Sequence, residues 1–213
     1  MPDSLHGSGQ EPPRPLRVFD AVGGWDALRG RLASRPISPV DLELLDEAVT
    51  FAVHWHADQR RPGGEPYVEH LLEVVSVLAE GVGVRDADML RAAVLHDVVE
   101  DTPCTLDDVR DRFGDPVGTL VDWLTKRPPG DGQTAEQART AYLTRLQEAP
   151  PQAVLVKLAD RLSNVQRLDT YPRPEKRRRY YTETVRGIVP MAGPYPWFRS
   201  WYADWEAAFR HLA

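Results

Sequence analysis

Residues 95–102 read LHDVVEDT, so one histidine and three carboxylates stand among valines and a leucine. In a continuous helix these four ionisable side chains fall at positions i, i+1, i+4 and i+5 and share one face of about two turns: His96, Asp97, Glu100 and Asp101. Ionised carboxylates that are buried side by side cost several kcal/mol unless a cation lies among them. The stretch therefore predicts a divalent metal site. The alternative is a charged face that is simply exposed to solvent.

The sequence around this stretch has a helical pattern. Apolar residues recur at helical spacing almost throughout the chain, and strand signals are scarce. Residues 86–101 are apolar around nearly the whole circumference, which predicts one helix that is buried on most sides. Residues 41–58 form an amphipathic helix, and the helix that follows residue 66 is expected to stop at Gly81. We therefore predict an all-α fold, a compact multi-helix bundle.

Capping signals predict further helices in the second half of the chain. Thr105 can cap a short helix that ends at Gly114, and the Asp-Pro pair that follows can begin the next one. Thr134 and Gln137 have the spacing of a capping box. The remaining helices are predicted over 153–168, 174–189 and 196–213. Aromatic residues at helical spacing in the last of these predict packing in the core or in a dimer interface.

Length and composition indicate a single soluble domain. The 213 residues suit one core, and a composition of 42% hydrophobic and 27% charged residues is ordinary for a globular protein. Residues 1–20 are rich in Pro, Gly and Ser and are predicted to be a disordered tail, so the domain is expected over 21–213. No apolar run is long enough to span a membrane and no secretory signal begins the chain. We therefore expect a cytoplasmic protein with no membrane partner.

Charge and cysteine usage exclude several kinds of function. The formal net charge of −6 argues against a nucleic-acid partner that is bound by broad phosphate neutralisation. The single cysteine, Cys104, excludes an internal disulfide and a cysteine-based zinc site, and its thiol is expected to be inert. The basic run at 175–180 is either an exposed helix face or a patch that steers anions toward a site. His54 and His56 face different sides of their helix, which predicts structural roles.

Further metal ligands must come from other helices, because neighbouring groups on one helix cannot surround an ion. His70 and Asp160 are the candidates. A lone helical histidine is more often a partly buried structural side chain. Lys157, Asp160 and Asn164 fall at positions i, i+3 and i+7 on one helix face, for which a solvated salt-bridge face is an equal alternative.

The order of these residues resembles a known superfamily. A histidine, then a His-Asp pair, then a distant aspartate is the pattern of the HD superfamily of metal-dependent phosphohydrolases. Four blocks, over about 45–190, more narrowly resemble the hydrolase domain of RelA/SpoT-type alarmone enzymes, including stand-alone small alarmone hydrolases and the metazoan SpoT homologue. In chain order, these blocks read RRPGGEPYVEH, AAVLHDVVEDT, FGDPVGTLVDWLTK and VKLADRLSN.

The resemblance implies a role for each matching position. It makes four residues ligands of one metal ion, expected to be Mn²⁺: His70, His96, Asp97 and Asp160. It assigns Glu100 and Asp101 jointly to the attacking water and the leaving oxygen. The positions that the resemblance assigns to a phosphorylated nucleotide are Arg61, Tyr67, Lys157, Asn164 and Arg167. For Tyr67 core packing is an equal alternative, and for Lys157 the alternative is a surface ion pair.

The chain departs from the family pattern where the substrate's base and ribose are expected. Pro62 stands where a second basic residue is usual, and Arg167 stands where a sugar-contacting threonine is common. Ser163 replaces a common histidine or tyrosine, and Leu71 replaces a proline. Arg167 adds a cation that can favour a further phosphate or simply point to solvent. These departures question the identity of the nucleotide rather than the presence of the metal.

Three functions remain open at this point. The first is removal of the 3′-pyrophosphate of guanosine tetra- or pentaphosphate, which yields GDP or GTP and pyrophosphate. The second is a phosphatase for another nucleotide, such as an adenine alarmone, NADPH or a nucleoside monophosphate. The third is a non-catalytic module that binds a nucleotide or neutralises a partner protein. The sequence leaves the oligomeric state open, with a homo-oligomer among the alternatives.

Overall fold

The computed structural model describes residues 15–213, and within that range the chain forms ten α-helices and no β-strand. The all-α prediction is confirmed. The helices are α1 (Trp25–Ala33), α2 (Pro39–His56), α3 (Tyr67–Ser76), α4 (Ala87–Leu95), α5 (Val98–Asp101), α6 (Leu106–Leu124), α7 (Ala135–Leu146), α8 (Pro151–Val165), α9 (Pro174–Gly187) and α10 (Pro196–Ala208).

Helix α4 lies at the centre of the bundle. It packs against α2, α3, α6 and α8. Its apolar side chains are almost completely buried, as the sequence pattern predicts: Met89, Leu90, Ala92, Ala93, Val94 and Leu95. Burial of aliphatic side chains on every side stabilises the helix by about 1.5–3 kcal/mol for each large residue. The end of this helix is therefore held rigidly in the core.

The continuous helix predicted over 86–101 is wrong at one point. Helix α4 ends at Leu95, His96 and Asp97 form a turn, and α5 begins at Val98. The His96 ring nitrogen Nδ1 binds the carbonyl oxygen of Ala93 at 2.8 Å. In a continuous helix that carbonyl accepts the backbone N–H of residue 97, so the imidazole competes with the helical hydrogen bond.

Two glycines end or bend helices in the left-handed region. Gly114 has φ 84° and ψ 165° and divides α6 where the sequence predicts a helix end. The helix after residue 66 passes into a wider π-helical turn, Val77–Val82, and stops at Gly83 with φ 90°. The predicted stop at Gly81 is therefore wrong. A Cβ atom on Gly81 would lie 2.8 Å from the Trp197 ring and 2.9 Å from the Phe19 ring, so close packing explains this glycine.

The aromatic side chains of α10 belong to the core. Those predicted to pack at helical spacing are buried: Phe198, Trp201, Trp205 and Phe209. The Tyr202 hydroxyl donates to the Leu158 carbonyl at 2.8 Å, and Trp205 Nε1 donates to the Val165 carbonyl at 3.0 Å. These bonds attach α10 to α8, and the core alternative of the prediction is confirmed.

The segment before α1 packs on the same core. Trp201 Nε1 donates to the Arg17 carbonyl at 2.7 Å, and Phe19 is buried. The predicted disordered tail is therefore wrong for residues 15–20, because the apolar residues near its end find partners in α8 and α10. Residues 1–14 of that predicted tail lie outside the described residues. The boundaries of a single domain over 21–213 stay a prediction.

A search of the helices formed by residues 15–213 finds none long and apolar enough to cross a membrane.

We expect the variant Gly81→Ala to lose about 1–3 kcal/mol in its free energy of unfolding, because the added methyl group overpacks two aromatic rings. Gly30→Ala in α1 is the matched control, since nothing lies within 4 Å of a Cβ there. It should gain up to about 1 kcal/mol in helix propensity. Urea denaturation measures both, and equal stability of Gly81→Ala and wild type would contradict the packing argument.

Candidate metal centre and adjoining cavities

Four side chains from three parts of the bundle meet at one point. His70 comes from α3, His96 and Asp97 from the turn after α4, and Asp160 from α8. One nitrogen or carboxylate oxygen from each lies within 4.8 Å of the others. The structure therefore brings together the set that the sequence suggests, and these atoms can surround a single metal ion.

His96 and Asp97 reach the cluster from the turn between α4 and α5. Both residues keep right-handed helical backbone angles, with φ −61° and ψ −28° at His96 and φ −103° and ψ −3° at Asp97. The two adjacent side chains therefore come from a local widening of the helix rather than from a regular helix face.

The His96 ring has one nitrogen fixed and one nitrogen free. Because a carbonyl oxygen only accepts, the bond to Ala93 requires the proton on Nδ1. The lone pair of Nε2 then points into the cluster. This atom is buried and has no hydrogen-bond partner among the described residues, although Asp97 Oδ2 lies 3.0 Å away. An unpartnered buried acceptor is costly, and a metal ion would satisfy it.

The tautomer of His70 is also set by a hydrogen bond to its Nδ1 atom. Its Nδ1 lies 2.8 Å from Ser163 Oγ, and the Ser163 hydroxyl donates to a carboxylate oxygen of Glu73. Because that hydroxyl has only one proton to give, its oxygen accepts the Nδ1 proton of His70. Both histidines therefore direct an Nε2 lone pair at the carboxylates. Glu73 is absent from the sequence prediction, because a single acidic residue in an apolar helix carries no local signal.

The electrostatics of the cluster favour a cation. Burial alone would lower the pKa of His96, but the carboxylates of Asp97 and Asp160 outweigh it and hold that pKa well above its usual value. Without an ion these carboxylates favour a proton on Nε2, and a bound metal would take the place of that proton. Burial would raise the pKa of Asp97, but His96 holds it well below its usual value. His70 Nε2 lies 3.3 Å from Asp160 Oδ1. Two imidazoles and two ionised carboxylates are a donor set that fits a first-row divalent ion.

Polar neighbours orient the Asp160 carboxylate. The Lys157 ammonium donates to Oδ2 at 2.7 Å, and the Asn164 amide donates to Oδ1 at 2.7 Å. Burial opposes the charge of Lys157, but Asp160 outweighs it and raises the pKa of the ammonium. Burial would likewise raise the pKa of Asp160, and Lys157 lowers it well below its usual value. Lys157 is thus an ion-pair partner of a candidate ligand, and a substrate contact for it stays a prediction.

Tyr67 connects the cluster to Asp101. Its hydroxyl donates to Asp97 Oδ2 at 2.6 Å and lies 3.1 Å from Asp101 Oδ2. His56 stacks on the Tyr67 ring, with ring centroids 4.9 Å apart, which agrees with a structural role for His56. Burial, together with the charge of Asp97, raises the pKa of Asp101. Such a carboxyl is suited to proton transfer at the edge of the cluster.

An inner cavity of about 290 Å³ is lined in part by the cluster, and it carries as many carboxylates as cations. Its carboxylates are Asp97, Glu100, Asp101, Asp160 and Glu183. Its cations are Lys126, Arg139, Lys157, Arg161 and Arg179. Glu183 pairs with three arginines of the same lining. Of these cations, the sequence predicts a role only for Lys157 and for the basic run that includes Arg179. The other three come from the end of one quoted block, from α7 and from α8, and only the fold brings them together. The Lys126 ammonium pairs with Glu100, and its backbone N–H donates to the same carboxylate at 2.9 Å.

An outer cavity of about 720 Å³ lies on the other side of Asn164, which lines both spaces. Arg61, Pro62 and Arg167 line it, together with residues 20–23. Arg61 donates to Asn164 Oδ1 at 3.2 Å. The Arg167 guanidinium donates to Glu73 at 3.0 Å and to the Phe19 carbonyl, so much of its donor capacity is used within the chain. A substrate contact for Arg167 stays a prediction.

The helices that carry the cluster match a known domain family. The sequence profile described as HD domain matches residues 48–194. The chain belongs to the HD-domain family. Every predicted ligand and catalytic residue of this HD domain lies inside the matched range, whereas α1 and the segment before it lie outside.

Curated relatives share the same part of the chain. A protein of Aquifex aeolicus named guanosine-3′,5′-bis(diphosphate) 3′-pyrophosphohydrolase is 38% identical over 156 residues, which are 72% of this chain and 22% of the relative. The bifunctional (p)ppGpp synthase/hydrolase SpoT of Escherichia coli K12 is 38% identical over 71% of this chain and 22% of its own length. A GTP pyrophosphokinase of Streptomyces antibioticus is 38% identical over 71% of this chain and 18% of its own length. The chain spans about a fifth of the length of these relatives.

A solved structure extends the comparison to the fold. It is described as a metazoan ortholog of SpoT that hydrolyzes ppGpp and plays a role in starvation responses. The match has a TM-score of 0.71 and 28% sequence identity, and it covers 80% of this chain and 97% of that one. The HD domain described above therefore shares its fold with that protein over most of both chains.

Cys104 lies away from the cluster chemistry. The thiol is buried, and burial raises its pKa to about 11. A thiol of that kind is almost fully protonated at neutral pH, so it is a weak nucleophile. This agrees with the expected inert side chain.

We expect Lys157→Met to lose roughly 3 kcal/mol in its free energy of unfolding in the presence of a chelator, because the Asp160 carboxylate is left buried without its cation. Lys126→Met is the matched control in the same cavity. The Lys126 side chain is 41% exposed, so removal of its charge should cost less than about 1 kcal/mol. Denaturant unfolding of the two variants side by side measures the difference, and equal losses would contradict the role of Lys157.

Proposed function

We propose that this HD domain hydrolyses the 3′-diphosphate of guanosine tetra- or pentaphosphate, releasing pyrophosphate and leaving GDP or GTP. The observation that carries the proposal is the pair of imidazole Nε2 lone pairs aimed at two buried carboxylates. The relatives are named for synthesis as well as for hydrolysis of such nucleotides. A histidine and aspartate cluster that suits a divalent ion supports the hydrolytic half of that chemistry.

In this proposal one Mn²⁺ is held by the four clustered side chains: His70, His96, Asp97 and Asp160. Neutral imidazoles and carboxylates together suit manganese among the first-row ions. When bound, the ion polarises a phosphoryl oxygen and lowers the pKa of water. The hydrogen bonds to Ala93 and Ser163 keep both imidazoles in the tautomer that presents Nε2.

Proton transfer falls to Glu100 and Asp101 jointly. Water attacks the phosphorus next to the ribose, its oxygen forms the new P–O bond, and the bond from phosphorus to O3′ breaks. One carboxylate accepts a proton from the water, and the ribose oxygen gains a proton as pyrophosphate leaves. The raised pKa of Asp101, caused by burial and the charge of Asp97, supports a proton-transfer role. Tyr67 holds Asp101 beside the cluster.

The two cavities divide the substrate between them in this proposal. The cations of the inner cavity bind phosphate groups. Its carboxylates near the cluster are neutralised by the ion and by Lys126 and Lys157, and Glu183 is neutralised by the arginines with which it pairs. The outer cavity accommodates the nucleoside, with Arg61, Asn164 and Arg167 near the base and the ribose. Tyr67 and Lys157 complete the set at the boundary. A cytoplasmic location stays a prediction of the sequence, and a homo-oligomer stays one of the alternatives that the sequence leaves open.

A second candidate is hydrolysis of another nucleotide by the same cluster. The observation that favours it is the outer cavity, whose lining includes two departures from the family pattern, Pro62 and Arg167. Candidates are an adenine alarmone, NADPH and a nucleoside monophosphate. A non-catalytic binding module is the third alternative, and the complete Glu100–Asp101 pair argues against it.

The experiment that tests the proposal uses purified protein with Mn²⁺ and a panel of phosphorylated nucleotides. We expect pyrophosphate from guanosine tetraphosphate and no release in the presence of EDTA, because removal of the ion removes the Lewis acid. Orthophosphate release from a different nucleotide would replace the first candidate with the second. Binding without any release across the panel would support the non-catalytic module.

Two substitutions separate ion binding from proton transfer. Asp97→Ala should lose both Mn²⁺ binding and activity, whereas Glu100→Gln should keep Mn²⁺ binding and lose at least about 100-fold in kcat. Calorimetry measures the ion and a pyrophosphate assay measures turnover. Glu148→Gln at the end of α7 is a control outside both cavities. Wild-type turnover in either cluster variant would show that the assigned role is wrong.

A further inference from the structure

A segment from outside the matched family range reaches the outer cavity. The HD-domain match begins at residue 48. Four residues that precede α1 nevertheless line the cavity: Asp20, Ala21, Val22 and Gly23. Arg61 and Asn164, which line the same space, belong to the matched range. Part of the wall therefore comes from outside that range.

Phe19 is held by both of its backbone polar groups. Its N–H donates to Gln166 Oε1 at 2.7 Å, and its carbonyl accepts from the Arg167 guanidinium. Gln166 and Arg167 also donate to the same oxygen of Glu73, at 2.5 and 3.0 Å. Two consecutive residues after α8 thus attach the segment to one buried carboxylate.

The other Glu73 oxygen leads to the metal cluster. It accepts the Ser163 hydroxyl, which in turn accepts the Nδ1 proton of His70. Glu73 is 4% exposed, so every donor it loses leaves a buried negative charge less compensated. One continuous path of hydrogen bonds therefore joins the Phe19 backbone to a candidate metal ligand.

The segment is also fixed at its far end. Gly23 and Gly24 have φ of 78° and 84°, which turns the chain into α1. Leu28 and Leu32 of α1 are fully buried and anchor that helix in the core. Residues 20–23 are thus anchored at both ends, which can keep them in a defined position as a cavity wall.

The cavity has a polar atom that lacks a partner. Glu69 lines it, and Glu69 Oε2 is buried without a hydrogen-bond partner among the described residues. A ligand with N–H donors, such as a nucleobase, would satisfy this acceptor once the carboxylate turns toward the cavity, because Oε2 itself is buried. The outer cavity, of about 720 Å³, has a volume in the range that accommodates small molecules. The inner cavity, of about 290 Å³, is large enough for phosphate groups.

We propose that residues 19–23 form the outer wall of a nucleoside-binding site in this chain, and that Gln166, Arg167 and Glu73 are positioning residues that set the place of this wall. The inference rests on the proposed function for the location of the phosphates. It assigns Arg167 to the wall rather than to a phosphate. It also makes a segment outside the family match a determinant of which nucleotide fits.

Two variants test the wall. Ala21→Phe adds a ring at an exposed position in the cavity lining, and Gln166→Met removes the Phe19 clasp without itself lining the cavity. Ala27→Phe, at an exposed position in α1 outside the lining, is the matched control for added bulk. Calorimetry with Mn²⁺ present measures binding of GDP, which carries a base, and of inorganic pyrophosphate, which does not. Hydrogen exchange at the Phe19 amide reports release of the clasp.

We expect both test variants to weaken GDP binding at least about tenfold, the effect of roughly 1.4 kcal/mol, and to leave pyrophosphate binding within about twofold of wild type. Ala27→Phe should bind both ligands as wild type does. The Phe19 amide should exchange faster in Gln166→Met.

Unchanged GDP binding in Ala21→Phe would overturn the wall, and unchanged GDP binding in Gln166→Met would overturn the positioning role. Equal weakening of GDP and pyrophosphate would also overturn the proposal, since the variants would then act through the metal cluster. Failure of the proposed function gives a different result. Wild type would then release no pyrophosphate from guanosine tetraphosphate, and the variants would still weaken GDP binding more than pyrophosphate binding.

Discussion

The structure depends on the burial of two carboxylates beside two imidazole lone pairs. Asp97 and Asp160 are ionised, and the Nε2 atoms of His70 and His96 point toward them. This arrangement concentrates negative potential in the interior, which a fold tolerates only if a cation lies there. The turn after α4, the Lys157 ion pair and the bonds to Ala93 and Ser163 all follow from this requirement. The central helix supplies the rigidity, because its apolar side chains leave the end of α4 no freedom to shift.

A second buried charge organises the surroundings of the cluster. Glu73 collects donors from Ser163, Gln166 and Arg167, and through them it connects α3, the end of α8 and the segment before α1. A carboxylate with this many donors is stable in the interior, whereas a partly satisfied one is not. The metal cluster and the cavity wall therefore share one buried carboxylate.

Local signals in the sequence are sufficient for most helices and for His96 and Asp97, whereas His70 and Asp160 needed the resemblance to the family. The capping boxes at Thr105 and Thr134 and the bend at Gly114 depend only on neighbouring residues, and the structure has them. The break at His96 left no such signal, because the apolar pattern continues on both sides of it. The Ser163–Glu73 bond joins residues 90 positions apart, so no local pattern announces it. The packing of Phe19 was missed for the same reason, since its partners lie in α8 and α10.

The most direct test is a crystal grown with manganese and measured at the manganese absorption edge. The account predicts one strong anomalous peak within coordination distance of His70, His96, Asp97 and Asp160, with both Nε2 atoms facing the ion. An empty cluster, a peak bound elsewhere, or four side chains that point apart would contradict it.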